Sequence, residues 1–127
     1  MSQLSKPRPL REDDLVQVVA PASPFDGAQL EAGCEVLRSW GLRVRFRDDI
    51  SERRAYFAGT PERRADELHE AFADPEVAAV LAVRGGYGLT TVLPLLDVQV
   101  LASNPKIVVG CSDLTALLSM LVDHVGV

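Results

Sequence analysis

Short runs of β-branched and aliphatic residues alternate along the chain with longer stretches whose apolar positions recur at helical spacing. Residues 15–20 (LVQVVA) predict a first strand, closed by Pro21. Asp26 stands where a helix N-cap belongs. Leu30, Cys34, Leu37 and Trp40 then form an apolar stripe, and Gly41 follows as a helix-ending glycine. Residues 42–46 (LRVRF) alternate with period two, which predicts a strand with one wet face near a sheet edge. A polar connection spans 48–59. Thr60-Pro61 then gives an N-cap followed by proline in the first turn, where a missing N–H costs nothing. Ala65, Leu68 and Phe72 make the inward stripe of this second helix, and Pro75 closes it.

Residues 77–83 (VAAVLAV) are continuously apolar, as in a strand covered on both faces. The turn Arg84-Gly85-Gly86-Tyr87-Gly88 follows directly. A helical stretch over 89–96 breaks near Pro94, and a short helical turn runs over 98–102. Asn104-Pro105 marks a turn, 107–110 a further buried strand, and a last helix from about Leu114 carries Leu117, Leu118, Leu121 and Val125 on one face. Four strands alternating with helices imply βαβ units and right-handed crossovers. The expected architecture is one α/β domain over 1–127, a three-layer α/β/α arrangement around a mainly parallel sheet. The stop at Val127, just past Gly126 and without a linker, reads as a cut between domains.

Composition narrows the classes. At 127 residues, 47% hydrophobic and 24% charged, the chain has the make-up of a globular domain. A net charge of -5 argues against nucleic-acid and anionic-membrane partners, which need clustered Lys and Arg. Arg43, Arg45, Arg47, Arg53 and Arg54 are interleaved with or offset by acids and read as solvated faces. Two cysteines, Cys34 and Cys111, do not make a disulfide framework. The polar, Pro-punctuated N-terminus lacks a signal-peptide core, and no run reaches transmembrane length, so the expectation is a cytoplasmic protein.

In open parallel sheets, functional groups gather beyond the carboxyl ends of the strands. Residues 21–25, 84–88 and 110–113 all fall there. A serine at the bend of Gly110-Cys111-Ser112-Asp113 projects its hydroxyl away from the sheet, and the next backbone N–H can face an oxyanion. The hydrolase signature G-x-S-x-G is incomplete, since Leu114 holds the last glycine position. Equally, Ser112 or Asp113 could do no more than cap the last helix. Three glycines in 84–88 let the backbone approach a ligand, or serve a tight turn only; the segment is neither G-x-G-x-x-G nor a phosphate-binding P-loop. Cys111 is a rival nucleophile, although a strand-end position favours an inward-facing side chain. His69 and His124 read as helix-surface residues without metal-ligand spacing. A serine nucleophile needs a base, and none is evident in this chain.

Val18-Val-Ala-Pro-Ala-Ser-Pro24, Arg54-Ala-Tyr-Phe-Ala-Gly-Thr60, Arg84-Gly-Gly-Tyr-Gly88, Leu93-Pro-Leu-Leu-Asp97, Asn104-Pro-Lys106 and Gly110-Cys-Ser-Asp113 occur in the order seen in the LD-carboxypeptidases. From about Leu10 to Val122 the chain resembles the N-terminal domain of that family, which includes muramoyltetrapeptide carboxypeptidases and microcin C immunity peptidases. The resemblance implies a flavodoxin-like or class I glutamine amidotransferase-like fold. It also implies release of the terminal D-alanine of murein tetrapeptides in cytoplasmic cell-wall recycling, by a homodimer without metal or cofactor. Ser112 matches the family nucleophile, and the amides of Asp113 and Gly86 match its oxyanion hole. Arg84, Gly85, Tyr87 and Pro24 fall on substrate-binding positions. The triad's Glu and His belong to a C-terminal domain, so the chain alone is expected to be inactive. Cys111 replaces a position that is often aromatic. The branch acting on peptidyl-nucleotide conjugates is not separated from the murein branch by this half, and a non-catalytic anion-binding module remains the other reading.

Overall fold

The computed structural model describes residues 3–127. Strands β1 (Leu15–Val19), β2 (Arg43–Arg45), β3 (Val77–Ala82) and β4 (Ile107–Val109) form one parallel sheet in the order β2-β1-β3-β4. The helices are α1 (Gly27–Ser39), α2 (Pro61–Ala73), α3 (Leu89–Val92), α4 (Val98–Ser103) and α5 (Thr115–Met120). A 3-10 turn at Leu93–Leu95 follows α3, as Pro94 requires. The expected α/β architecture is what the chain adopts, with one apolar cluster on each face of the sheet.

The alternation of β1 assigns the faces. Val16, Val18 and Ala20 pack with Cys34 and Leu37 of α1, while Leu15 and Val19 join Leu68 and Phe72 of α2 on the other side. Leu89, Leu101, Leu114, Leu117 and Leu121 complete this second, larger cluster. Each such leucine or phenylalanine contributes about 1.5–3 kcal/mol on full burial. Both expected N-caps are present: Asp26 accepts the amide of Ala28, and Thr60 that of Arg63.

The two faces are covered unequally, and this corrects two expectations. Strand β4 lies at an edge and is only half-buried, with Val109 49% exposed, because α1 is the one described helix on that face and sits over β1 and β2. Leu81 and Val83 at the end of β3 face the same side and are half-buried for the same reason. Trp40 is 68% exposed, since it is the C-cap of α1 and has left the helical stripe before Gly41 turns at φ +82°. The last helix widens at its end into a π turn, Leu121–Val125, with Leu117 and Leu121 buried and Leu118 and Val125 half-buried. No helix among the described residues is long and apolar enough to cross a membrane.

Candidate functional site

The loops that leave β1, β3 and β4 converge at the carboxyl edge of the sheet. The loop after β4 holds the sharpest backbone feature. Cys111 is extended, and Ser112 then takes φ +58°, a left-handed conformation that residues with a Cβ seldom adopt. Holding it costs about 1–3 kcal/mol. Ser112–Leu114 makes a 3-10 turn into α5, and the serine is left exposed. Gly110 makes the bend feasible, because a Cβ there would lie 2.6 Å from Cγ of Leu114. No side chain among the described residues caps this turn or α5. The Asp113 carboxylate instead accepts the Leu89 amide at 2.9 Å, tying the serine bend to the start of α3.

The glycine turn lies directly against the serine. A Cβ on Gly85 would meet Cβ of Ser112 at 2.8 Å, the Cys111 carbonyl oxygen at 2.7 Å and the Asp113 amide nitrogen at 3.4 Å. Gly86 adopts φ +99°, and a Cβ there would collide with the Ser23 hydroxyl. Ser23 locks this turn from the β1 side. Its Oγ accepts the Tyr87 amide at 2.9 Å, and its own amide donates to the Gly85 carbonyl at 3.3 Å. Among the described residues, the amides of Gly86 and Asp113 donate to no acceptor. An exposed hydroxyl on a strained bend, beside main-chain donors without partners, suits attack on a carbonyl and capture of the resulting oxyanion.

The remaining expected site residues fall slightly apart. Tyr87 is 63% exposed and stacks on Phe57 with ring centroids 5.8 Å apart. The Arg84 guanidinium donates to the Pro24 carbonyl at 2.9 Å. Both Arg84 and Pro24 border a cleft of about 1000 Å³ between α1 and the sheet, which Leu30, Cys34 and Val83 also line. Cys111 is exposed, not inward-facing as expected. It lies two residues beyond Val109, on the face that α1 leaves open. Cys34 is buried, and burial pushes its thiol above the ordinary value.

Neither histidine bonds to Ser112 among the described residues. His69 Nε2 accepts the Asp97 amide at 2.8 Å, and His124 is exposed in the final turn. No group of three or more His, Cys, Asp or Glu able to hold a metal occurs among the described residues. Sequence reasoning missed Ser23, for which its place in the strand-end loop was the available signal. It also missed Arg63, Arg64 and Glu67, buried charges on α2 that carried no local signal.

The family model of the LD-carboxypeptidase N-terminal domain matches residues 16–127. The murein tetrapeptide carboxypeptidase of Pseudomonas aeruginosa is 38% identical over 113 residues, covering 88% of this chain and 37% of that protein. The crystal structure of muramoyltetrapeptide carboxypeptidase from Oxalobacter formigenes superposes with a TM-score of 0.80 at 34% identity, over 87% of this chain and 37% of that one. The microcin C7 self-immunity protein MccF, in complex with aspartyl sulfamoyl adenosine, superposes with a TM-score of 0.89 at 27% identity, over 99% of this chain and 38% of that one. The chain spans about two fifths of the length of the curated relatives it matches.

Proposed function

We propose, from the premise that this chain belongs to the LD-carboxypeptidase family as its N-terminal domain, that it supplies the nucleophile of a serine peptidase. The carrying observation is Ser112 at φ +58°, exposed and in contact with the glycine turn. In the complete protein, Ser112 Oγ attacks the scissile carbonyl carbon while a base from outside this chain takes its proton. The tetrahedral oxyanion is held by the amides of Gly86 and Asp113. The C–N bond then breaks, the amine leaves with the proton, and water hydrolyses the acyl-serine ester. Arg84, Gly85, Tyr87 and Pro24 border the bound peptide.

The names of the relatives support a murein tetrapeptide as substrate; its terminal D-alanine as leaving group is what the resemblance to the family implies. On this reading the full protein works in the cytoplasm as a homodimer, with no metal or cofactor in the chemical step, and this chain alone releases no D-alanine. Ser112→Ala in the full-length protein is expected to lower kcat for D-alanine release by at least ~10³-fold, while the urea midpoint stays in place. Wild-type turnover by that variant overturns the proposal. So does reversible anion binding without covalent labelling of Ser112 by a serine-directed phosphonate, which would mark a binding module. Protection of Cys111 from iodoacetamide by substrate, together with labelling at Cys111 alone, would move the nucleophile to the thiol.

A second substrate reading rests on the likeness to MccF, solved with aspartyl sulfamoyl adenosine. It places a peptidyl-nucleotide conjugate on the same serine. Turnover of an aminoacyl sulfamoyl nucleoside, with none of a murein tetrapeptide, would select it.

A further inference from the structure

Helix α2 contributes no residue to the serine bend or the glycine turn, yet one of its side chains grips the loops around them. We propose that Arg64 is a positioning residue that fixes the glycine turn, and through it the donor side of the Ser112 site; the inference rests on the reading of that site given above.

Arg64 is fully buried, at 0% exposure. The buried ion pairs of this helix belong to its neighbour Arg63, with Asp49 and Glu67. Arg64 forms no ion pair among the described residues. Its donors go to neutral oxygens from three separate segments. Nη1 reaches the Gly88 carbonyl at 2.9 Å and the Pro21 carbonyl at 3.2 Å. Nη2 reaches Thr91 Oγ1 at 3.2 Å, and Nε the Thr60 carbonyl at 3.3 Å. The Thr91 hydroxyl donates to the same Gly88 oxygen at 2.7 Å, so that carbonyl is held from two sides.

The guanidinium plane has a second use. It lies 4.9 Å from the centre of the Phe57 ring, and that ring stacks on Tyr87. Arg64, Phe57 and Tyr87 therefore form a column from the core to the exposed rim of the glycine turn. The column leaves no slack: a Cβ on Gly88 would lie 2.7 Å from both Arg64 Nη1 and Phe57 Cδ1. Pro21 follows β1 and Gly88 ends the turn after β3, so one planar fork joins two of the three loops that meet at the site.

A buried charge is costly unless it is fully hydrogen-bonded, and an apolar side chain would fill this space at lower cost. Desolvation pulls the Arg64 pKa below its ordinary value, and the Asp113 carboxylate on the serine bend opposes that shift. A planar guanidinium aims donors in a fixed fork at four oxygens and lies against the Phe57 ring as well, which the compact three-donor ammonium of a lysine does not match. The charge is placed where it orders the turn.

Amide hydrogen exchange on this chain reads the positioning without reference to activity. In Arg64→Lys, the two hydrogen-bonded amides of the turn, Tyr87 and Leu89, are expected to exchange roughly 10- to 100-fold faster, while β1 and β3 keep wild-type protection. In the full-length protein, the same variant is expected to lose about 10²-fold in kcat with KM within about threefold, and guanidinium ion added to Arg64→Ala should restore part of the rate. Unchanged exchange at Tyr87 and Leu89 overturns the proposal whatever the kinetics. A protection loss spread evenly over the sheet also overturns it, because that is the mark of a general core residue. Where the Arg64 variants do not fold, Thr91→Val removes one leg of the same clamp and must show the local effect in smaller measure; its absence counts against the proposal. If the turn responds while the wild-type full-length protein releases no D-alanine, the assigned reaction fails and the role of Arg64 stands.

Discussion

Two left-handed backbones set the geometry of the site at the scale of single residues: Ser112 at φ +58° and Gly86 at φ +99°. They are tolerated for different reasons. Gly86 has no Cβ to collide with Ser23, whereas Ser112 keeps its Cβ and is held by the turn on either side, Gly110 packed on Leu114 and Asp113 bonded to Leu89. Gly86→Ala therefore meets two penalties, the positive φ and the contact with Ser23. The expected loss is about 2–4 kcal/mol, read from urea unfolding. Ser23→Gly relieves the contact but also removes the acceptor of the Tyr87 amide, so the double variant is compared with Ser23→Gly alone, against which only the torsional part should remain. A single-variant loss below about 0.5 kcal/mol, the range of neutral surface changes, would mean that the turn relaxes freely and that Gly86 is not needed where it stands.

At the scale of elements, α2 is the scaffold of the site. Its N-terminus is set by Thr60, whose hydroxyl accepts the Arg63 amide at 3.1 Å, and by Pro61 behind it. Thr60→Ala is expected to cost about 1 kcal/mol in urea unfolding. A loss near zero would show that the buried arginines, not the cap, hold this end of the helix. This element also shows how far the sequence was legible. Its cap, its proline and its stripe of Ala65, Leu68 and Phe72 are local signals, and all three lie where the pattern places them. Arg63, Arg64 and Glu67 are charges in a charged stretch, and local pattern assigns them to water. The two arginines are buried because carbonyls of Ala20, Pro21, Ala58 and Gly88 accept from them, and Glu67 because it accepts from Arg63 and the Ala20 amide; apart from Ala58 and Arg63, those partners are distant in sequence. Strand β4 fails for a related reason. An apolar run announces that a strand is to be covered but not by what, and half of its surroundings in this chain remain open. The serine bend was legible as a strand–glycine–serine–helix junction; its contact with Gly85 was not, because only the fold brings residues 85 and 112 together.

For the molecule as a whole, two opposed sets of carboxylates shape its response to pH. Asp14, bonded to Arg8, is held at about 2, and Asp49 and Asp74 are held below their ordinary 3.8 by hydrogen bonds from Arg47 and Arg45. These groups bind protons less readily when folded, so the stability they add is present above about pH 4 and is lost as pH falls toward 2. Glu67 runs the other way. Its side chain is wholly buried, one oxygen serves the Ala20 amide and Arg63, and the other has no partner among the described residues. Burial raises its pKa above the ordinary 4.5 despite the attraction of Arg63. Its contribution is therefore complete below about 4.5 and declines as pH rises through the raised value. The urea midpoint of the wild type should climb between pH 2 and 4, then fall as Glu67 ionises. Glu67→Gln removes the second limb only: it should flatten the curve above about pH 4.5 and leave the acid limb where it was. Parallel curves for the two proteins over the whole range would mean that Glu67 is ionised in the fold at every pH above its ordinary value, with Arg63 outweighing burial.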